Sequence, residues 1–348
     1  TLATDGVTKI ETSSQPISIT TGLADQDSFS IAASSFNPPA YNVSGVEVLI
    51  TAYAADQFNN PVPDGTLVNF TAESGIIEGY CETKDGTCAV RWVSSGVRPG
   101  NQDVELERVN EIDPQTSQSV KGMTTITAYT LGESGFTDSN NNGVYDLGEP
   151  FVSYPEVFRD DNNSMAIDRD GSSNPVEVFF DFDSDGVYDS APSVYQGALC
   201  SDAAKSAGHC AKQVHVRDSL RIVQSMADSV VMRLFTEAGG VYTETDANSL
   251  ILNSPSGTFY VVFQDQNGNI PSAGSQLNVT AEGYKLFTPY GYVPERSLGE
   301  LNIDGSMTGL PSYGVLYEVG YEEDGTPVGI TVQGTSDNLV KKLPEIKP

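Results

Sequence analysis

The chain has 348 residues, and its 47 Asp and Glu side chains against 18 Lys and Arg give a formal net charge of -29 at pH 7. Negative charge on this scale repels nucleic acid and anionic membrane surfaces, which excludes both as expected partners and favours cations. No run of 18 or more apolar residues is present, so no transmembrane segment is predicted. The chain opens at TLATDG without a charged and apolar leader, so any signal peptide is expected to lie outside it.

Short strands are predicted along most of the chain. Each is rich in β-branched residues and bounded by Gly, Pro, Asn or Asp, as in VEVLITAYA, TLVNFTA, CAVRWVSS, MTTITAYT, VHVRDSLRIVQ, TFYVVFQ, LNVTAEG and VGITVQG. Helical spacing is limited to SDAAKSAGHCAK and a stretch near Gln224. The pattern favours an all-β protein of two or three domains, built as β-sandwiches rather than as an α/β enzyme core.

The four cysteines form two close pairs, Cys81 with Cys88 and Cys200 with Cys210. The first pair brackets ETKDGT, in which Asp85-Gly86 is typical of a tight hairpin turn, so the sulfurs are expected to face each other across paired strands. We predict two local disulfides, which indicate an oxidising compartment. The alternative is a zinc site, but the spacing lacks a C-x-x-C pair, and His209 and His215 are the only histidines.

One acidic pattern occurs three times in the middle of the chain: loop 1 in FTDSNNNGVYD, loop 2 in FRDDNNSMAID and loop 3 in FFDFDSDGVYD. Oxygen-bearing side chains on alternate positions, closed by a further carboxylate, are how a short loop surrounds Ca²⁺. We predict two or three bound calcium ions, and whether the loops share ions stays open. The flanks look like strands rather than helices, so a structural role is expected rather than sensing. The alternative is that Asp, Asn and Gly form ordinary solvated turns.

Loop 1 fits the calcium-loop template best, with Gly143 at the sharp turn. Its predicted ligands, at positions one, three, five, seven, nine and twelve, are Asp138, Asn140, Asn142, the carbonyl of Val144, Asp146 and Glu149.

The other two loops depart from the template at its end. Loop 3 has Pro192 at the twelfth position, so we expect a further oxygen from Glu177 or from water. Its predicted ligands are Asp181, Asp183, Asp185, Val187 and Asp189. Loop 2 has Met165 at the turn and Gly171 in place of the closing acid, and its predicted ligands are Asp160, Asn162, Ser164 and Asp168. Asp161 and Asp170 are the candidates to compensate in loop 2.

Two distant segments repeat one another. DQFNNPVPDGTLVNFTAE from Asp56 and DQNGNIPSAGSQLNVTAE from Asp265 align without a gap. The stretch LITAYAADQFNNPVPDGTLVNFTAESG resembles the group 1 bacterial immunoglobulin-like domains, the modules of invasin and intimin-type surface proteins. This resemblance covers residues 16 to about 131, and the second copy has IPSAG in place of the Pro-Val-Pro-Asp-Gly motif. GLADQDSFSIAA, the cysteine-bracketed hairpin, the three loops and VHVRDS are also similar to a subgroup of long exported proteobacterial proteins built from such domains.

The resemblance implies tandem immunoglobulin-like β-sandwiches with an acidic calcium-binding insertion in the first. Residues 1–15 would be an N-terminal linker or donor strand, residues 16–226 the first domain and residues 227–348 the second. MTTITAYTLGE would be followed by QVHVRDSLRIVQ as the closing strand, so that residues 133–212 form the insertion between them.

The resemblance and the lack of a catalytic motif lead us to expect a non-enzymatic, extracellular structural or adhesive module of the bacterial cell surface. Expected partners are other copies of the chain, or a host, matrix or glycan ligand. One alternative is a subunit of a surface filament, in which TLATDGVTKIETSSQ donates a strand to a neighbour. Another is a secreted carbohydrate-binding or carbohydrate-active protein, since a glycosidase needs only two carboxylates, although no G-x-S-x-G, H-E-x-x-H or phosphate loop is present.

Two groups of aromatic residues have more than one interpretation. YKLFTPYGY contains Tyr284, Phe287, Tyr290 and Tyr292, which would either stack on a sugar or partner, or pack at a sheet edge. The single tryptophan, Trp92, is expected in a sandwich core.

Overall fold

The structure is a computed structural model of the chain. It describes residues 22–96, 98, 112–113, 118–119, 122–161, 164–250, 252, 254–295, 307–311 and 313–348. The predicted linker or donor strand at residues 1–15 and the predicted ligand Asn162 lie outside the described residues.

The first β-sandwich is formed by strands that precede a long insertion, together with the strand that directly follows the insertion. In chain order the strands before the insertion are β1 (Ala24–Asp25), β2 (Phe29–Ala33), β3 (Glu47–Ala54), β4 (Leu67–Ala72), β5 (Ile76–Ile77), β6 (Tyr80–Glu82), β7 (Thr87–Val93), β8 (Ile112–Asp113), β9 (Gln118–Ser119) and β10 (Met123–Glu133). A single 3-10 turn, Gln26–Ser28, separates β1 from β2.

The insertion is built from short elements. They are β11 (Gly135–Phe136), β12 (Phe151–Val152), β13 (Val157–Phe158), β14 (Phe179–Phe180) and the helix α1 (Asp202–Ser206). The chain then returns to the sandwich as β15 (Val214–Val223), which pairs with β10 in antiparallel register over its whole length. The insertion therefore occupies the connection between two neighbouring strands of one sheet.

The two sheets of this sandwich have the strand order of an immunoglobulin-like fold. One runs β2-β3-β7-β5, and the other runs β15-β10-β4-β6, with β1 parallel to the end of β10. Alternation sets the inner face: on β3, Val48, Ile50 and Ala52 are fully buried while Leu49 and Tyr53 are exposed. This alternation agrees with the strand predicted in VEVLITAYA.

Trp92 lies in the core of the first sandwich, as predicted, with none of its surface exposed. Its indole Nε1 donates to the carbonyl oxygen of Ser74 at 2.7 Å, so the one polar atom of the ring is satisfied.

A second β-sandwich repeats this topology. Its strands are β16 (Val231–Ala238), β17 (Val241–Thr245), β18 (Ser256–Gln264), β19 (Gln276–Glu282), β20 (Tyr284–Phe287), β21 (Tyr290–Tyr292), β22 (Val315–Glu323), β23 (Gly329–Ser336) and β24 (Leu339–Lys342). The sheets run β17-β16-β18-β22-β20 and β21-β19-β23-β24. The connection between β23 and β24, which corresponds to the insertion of the first sandwich, consists of Asp337 and Asn338 alone.

The predicted fold class, all-β with tandem immunoglobulin-like sandwiches, is confirmed by these four sheets. The helix expected in SDAAKSAGHCAK is present as α1. The helical turn expected near Gln224 is wrong, because the Gln224 amide Nε2 donates to the hydroxyls of Thr124 and Ser74 and holds the chain at the end of β15. The predicted domain limits, 16–226 and 227–348, stay predictions.

Hydrogen bonds between loops join the two sandwiches. Asn37, fully buried in the β2–β3 connection, donates from Nδ2 to the carbonyl oxygens of Pro271 at 2.8 Å and Pro294 at 3.2 Å. In the linker, the backbone N–H of Met226 donates to Oδ2 of Asp265 at 2.9 Å. Asp265 opens the second copy of the internal repeat, so the repeated turn lies at the junction between the sandwiches.

No helix in the described ranges is both long and apolar enough to cross a membrane.

Candidate metal centre

The insertion folds back over the first sandwich and covers the outer face of β10. Residues of β10 are consequently buried on both faces, unlike those of a strand with one solvated side. The Thr125 hydroxyl donates to the carbonyl oxygen of Asp160 at 3.0 Å, and the Tyr129 and Phe180 rings lie 4.6 Å apart. These contacts hold loops 2 and 3 against the sheet.

Arginines bind the insertion to the sandwich at two further points. Arg159 donates from Nη1 to the carbonyl oxygen of Ala72 at 3.0 Å. Arg217, on β15, donates from Nη1 to the carbonyl oxygens of Pro155 at 3.0 Å and Glu156 at 2.6 Å. The backbone that carries Glu156 is therefore fixed to β15.

Loop 1 is organised by two carboxylates that accept backbone N–H groups. Asp138 accepts from the N–H groups of Asn142 at 3.2 Å and Gly143 at 2.7 Å. Glu149 accepts through Oε1 from Ser139 at 2.8 Å and through Oε2 from Asp146 at 2.9 Å. In the numbering of the calcium-loop template, the Asp at position one accepts from the N–H groups of positions five and six. The closing Glu accepts from the N–H groups of positions two and nine.

Three of the side chains predicted as ligands in loop 1 are hydrogen-bonded to one another. Asn140 and Asn142 each donate from Nδ2 to Oδ2 of Asp146, both at 2.8 Å. Together with Ser201, these hydrogen bonds lower the pKa of Asp146, the bond from Asn140 having the largest effect. The loop thus gathers polar groups around one carboxylate oxygen.

Loop 3 has the same hydrogen-bond pattern as loop 1, with its closing glutamate supplied from elsewhere. Asp181 accepts from the N–H groups of Asp185 at 3.2 Å and Gly186 at 2.7 Å. Glu156 accepts from Phe182 at 2.5 Å and from Asp189 at 3.0 Å, which are positions two and nine of the loop. The expectation that Glu177 completes loop 3 is wrong, because Glu156 occupies the place of the closing glutamate and the Glu177 carboxylate lies in loop 2.

Loop 2 is completed by Glu177. Its Oε1 accepts from the N–H of Asp161 at 2.9 Å and its Oε2 from that of Asp168 at 3.0 Å, again positions two and nine. Asp160, at position one, accepts from the N–H groups of Ser164 at 2.9 Å and Met165 at 2.8 Å.

The expected compensation by Asp161 and Asp170 in loop 2 is wrong. The carboxylate of Asp161 pairs with Arg159, at 2.6 Å and 3.0 Å, and that of Asp170 accepts from its own turn at Ser172 and Asn174. Both acids are therefore engaged outside the closing position that Glu177 occupies.

Each loop turns through left-handed backbone at position six. Gly143 and Gly186 have φ of 77° and 81°, which glycine adopts at little cost. Met165 occupies the same place in loop 2 with φ of 62°. Loop 2 thus keeps the turn although its sequence lacks the glycine. The backbone at Met165 is strained, because a residue with a Cβ atom disfavours left-handed φ.

The carboxylates at loop 3 have the spacing that a hard divalent cation needs. One carboxylate oxygen each from Glu156, Asp181 and Asp183 lie within 4.8 Å of one another, a spacing that an ion with metal-oxygen distances of about 2.3–2.6 Å can bridge. A carboxylate has two lone pairs on each oxygen, so a glutamate that accepts two backbone N–H groups keeps free lone pairs for an ion.

The electrostatics of loop 2 also favour a cation. Glu177 is 5% exposed, and burial raises its pKa to about 7, with the negative charges of Asp160 and Asp168 adding to the rise. A positive ion among these three carboxylates would oppose both effects.

A disulfide and a small aromatic core complete the insertion. Cys200 and Cys210 are bonded, as are Cys81 and Cys88, which confirms both predicted disulfides and makes the zinc-thiolate alternative wrong. Tyr145 and Tyr195 stack with ring centroids 4.4 Å apart next to Cys200.

The first disulfide differs from the expectation in one respect. Cys81 lies on β6 and Cys88 on β7, and these strands belong to different sheets. The sulfurs therefore link the two sheets at a corner instead of facing each other across paired strands. The predicted tight turn at Asp85-Gly86 is present, with φ of 50° and 74°.

One of the two histidines packs inside the insertion, and three of the four aromatic residues of YKLFTPYGY are exposed. His209 accepts the N–H of Tyr195 at Nδ1, at 2.9 Å, and stacks on Tyr145, so it belongs to the small core of the insertion. Of the predicted aromatic group in the second sandwich, Tyr284 is buried, whereas Tyr290 and Tyr292 are 68% and 61% exposed and Phe287 is 47% exposed.

The sequence did not predict the closing glutamates of loops 2 and 3. Glu156 precedes loop 2 but closes loop 3, and Glu177 precedes loop 3 but closes loop 2. A signal was present: the tripeptide Glu-Val-Phe occurs at 156–158 before loop 2 and at 177–179 before loop 3. Which loop each glutamate closes depends on the strand pairing of the folded insertion, and no linear template contains that information.

Comparison with known proteins gives only distant likenesses. No family model matches the chain, and no curated protein matches it. The solved structure of the Yersinia pseudotuberculosis adhesin InvE is 10% identical, with a TM-score of 0.25, over 94% of this chain and 60% of that chain. The D0-D1 domain of intimin is 11% identical, with a TM-score of 0.22, over 91% of this chain and 96% of that chain.

Invasin, described as a bacterial integrin-binding protein, is 12% identical, with a TM-score of 0.18, over 90% of this chain and 59% of that chain. The chain thus spans about 60% of the InvE and invasin structures. At TM-scores this low, the fold assignment rests on the strand pairing described above.

Proposed function

We propose that the chain is a calcium-stabilised, non-catalytic structural or adhesive module of a bacterial cell surface. The observation that carries the calcium part is the threefold hydrogen-bond pattern, in which a position-one Asp and a closing Glu organise each loop in the same way. In loops 2 and 3 a glutamate from outside the loop accepts from the same two backbone N–H positions that Glu149 holds within loop 1, and ordinary solvated turns do not require such a partner. Two disulfides fit the oxidising environment of an exported protein.

Bound calcium would supply positive charge at the centre of each loop. Loop 1 would offer Asp138, Asn140, Asn142, the Val144 carbonyl, Asp146 and Glu149; loop 2 would offer Asp160, Ser164, Asp168 and Glu177; and loop 3 would offer Asp181, Asp183, Asp185, the Val187 carbonyl, Asp189 and Glu156. The sequence also places Asn162 in loop 2.

A structural role for the ions follows from the composition of the insertion. Its buried apolar cluster comprises Tyr145, Tyr195, Cys200 and Ala204, a small core for a segment that joins β10 to β15. Small units with little apolar surface depend on disulfides or metals for stability. The crowded carboxylates of the three loops would repel one another without a cation.

Counting bound ions tests the calcium part directly. We expect about three calcium ions per chain by equilibrium dialysis or native mass spectrometry, one for each loop. Glu149→Gln should remove the ion of loop 1, because a neutral amide takes away charge and one of the two ligand oxygens. Glu82→Gln, at an exposed position on β6, is the matched control and should keep all three. A wild-type chain that binds no calcium would contradict the proposal.

The adhesive part needs its own test, since a fold alone does not identify a ligand. The exposed Tyr290 and Tyr292 favour a glycan among the ligands considered, because exposed aromatic rings provide stacking surfaces. We expect the calcium-loaded chain to bind cells, matrix proteins or members of a glycan panel, or to self-associate in sedimentation experiments. Tyr290→Ala with Tyr292→Ala should weaken glycan binding without changing the melting temperature. Absence of all these interactions would leave a purely structural module.

A further inference from the structure

Loops 2 and 3 differ from loop 1 in where their closing glutamates come from. Glu149 belongs to loop 1 itself. Glu156 precedes loop 2 in the chain, yet its carboxylate closes loop 3. Glu177 precedes loop 3, yet its carboxylate closes loop 2. The two loops therefore exchange their glutamates.

A two-stranded ladder holds the exchange in place. β13 leads from Glu156 into loop 2, and β14 leads from Glu177 into loop 3; the two pair in antiparallel register, Val157 with Phe180 and Phe158 with Phe179. The N–H of Arg159 donates to the carbonyl oxygen of Val178 at 2.9 Å. The ladder thus brings the entrances of both loops together.

Loop 3 also pairs with the segment that carries its glutamate. The N–H of Glu156 donates to the carbonyl oxygen of Asp189 at 3.0 Å, while Oε2 of Glu156 accepts from the N–H of Asp189. The Tyr188 ring contacts Phe158 and Phe179 edge to face, at 6.0 Å and 5.7 Å between centroids. One aromatic side chain at the end of loop 3 thus touches the entrances of both loops.

We propose that loops 2 and 3 form one cooperative calcium-binding unit through the exchange of Glu156 and Glu177, whereas loop 1 binds its ion independently. This inference rests on the proposed function, because it concerns the regulation of the same sites. An ion in loop 3 fixes Glu156 and with it β13, the entrance to loop 2. An ion in loop 2 fixes Glu177 and with it β14, the entrance to loop 3.

The coupling has a simple thermodynamic origin. The first ion orders the shared ladder, so the second ion binds to a segment that has already lost that conformational entropy. Coupling of this kind typically changes affinity by about 5- to 150-fold, and it acts equally in both directions. Loop 1 is closed from within and has no part in this ladder.

Calcium titration of the full chain carrying Glu149→Gln isolates the two coupled loops. We expect isothermal titration calorimetry to show two ions bound with a Hill coefficient clearly above 1, about 1.5 or more. Adding Glu156→Gln should do more than remove the ion of loop 3: the remaining ion, in loop 2, should bind at least about fivefold more weakly. Glu177→Gln should produce the converse result.

The outcomes separate this inference from the proposed function. Two ions bound independently, with a Hill coefficient of 1, would overturn the coupling and leave calcium binding intact. No binding by the wild-type chain would overturn both. The Hill coefficient is measured without altering either exchanged glutamate, so it decides the matter even if the Glu156 variant loses the fold of the insertion. Glu82→Gln in the same background is the matched control and should leave the isotherm unchanged.

Discussion

At the scale of single residues, the same backbone turn is made at different cost in the three loops. Gly143 and Gly186 enter left-handed backbone freely, whereas Met165 does so with a side chain. The Met165 side chain is 77% exposed, so little packing offsets the strain. Loop 2 is therefore expected to be the least stable of the three.

Replacing Met165 by glycine should stabilise loop 2. Relief of left-handed strain is worth about 1–2 kcal/mol, and the greater freedom of glycine in the unfolded chain cancels about half of it. We expect a net gain of about 0.5 kcal/mol and tighter calcium binding by loop 2, measured by calorimetry.

Gly186→Ala in loop 3 is the matched inverse. No atom lies within 4 Å of the added Cβ, so strain from the positive φ is the expected effect, and the variant should lose about 1 kcal/mol. If Met165→Gly and Gly186→Ala changed the free energy of unfolding equally and in the same direction, strain at position six would not explain the difference between the loops.

The sequence placed together the residues whose hydrogen bonds or turns are local. Asp138 and Glu149 lie in one loop, and the turn at Asp85-Gly86 depends on two neighbouring residues. Prediction failed for Glu156, Glu177 and Asp161, whose partners are set by the pairing of β13 with β14 and by Arg159. These contacts depend on the folded insertion, and a twelve-residue template does not include them.

At the scale of elements, one strand connection accounts for the difference between the two sandwiches. β23 and β24 are joined by two residues, whereas β10 and β15 are joined by the whole insertion. The sequence located this insertion because both flanking strands have clear β patterns. It did not predict that the insertion covers the outer face of β10, because Thr125 and Thr127 alternate with the core residues Ile126 and Ala128 and are typical of a solvated face.

The Cys200–Cys210 disulfide should stabilise the insertion rather than the sandwiches. The cysteines are 10 residues apart, so removing this disulfide should lower the free energy of unfolding by about 2–3 kcal/mol on the chain-entropy model. We expect Cys200→Ser with Cys210→Ser to increase hydrogen exchange from 135 to 212 and to leave the second sandwich unchanged.

The other disulfide supplies the control for that experiment. Cys81→Ser with Cys88→Ser should increase exchange in β6 and β7 and have little effect within the insertion. A global increase from the Cys200 and Cys210 substitutions would show that the insertion does not unfold as a separate unit.

Two buried acids lie where β1 pairs with β10. Asp25 and Glu133 are register partners and are 4% and 0% exposed. Burial raises the pKa of Asp25 to about 6, with Asp27 and Asp56 adding to the rise. Tyr195 also lies within electrostatic reach of Asp25 and Glu133.

Because the pKa of Asp25 is raised in the folded state, folded protein holds a proton that the unfolded chain has released. The free energy of unfolding should therefore fall as the pH rises from about 4 to about 6, by up to about 3 kcal/mol at about 1.4 kcal/mol per pKa unit. Asp25→Asn should reduce this fall, measured by urea unfolding at pH 4 and pH 7. Asp324→Asn, at an exposed turn, is the control, and an identical pH dependence in both variants would contradict the assignment.

At the scale of the whole molecule, two sandwiches share a topology and only one carries the acidic insertion. The repeat beginning at Asp56 and Asp265 predicted the shared topology, and its second copy lies at the hydrogen-bonded junction between the sandwiches. Under the proposed function, the insertion is the part of the molecule that depends on calcium. The predicted ligands lie in its loops, while the cores of the two sandwiches are apolar.

Thermal unfolding with and without calcium shows whether the insertion depends on the ion. At calcium concentrations 100 times the dissociation constant, each site that binds only the folded state adds about 2.7 kcal/mol. We predict a large increase in the melting temperature of the insertion in millimolar calcium relative to chelator, reduced by Asp138→Ala with Asp146→Ala and retained by Asp324→Ala. Identical melting in calcium and in chelator would contradict the account, and the three loops would then be ordinary acidic turns.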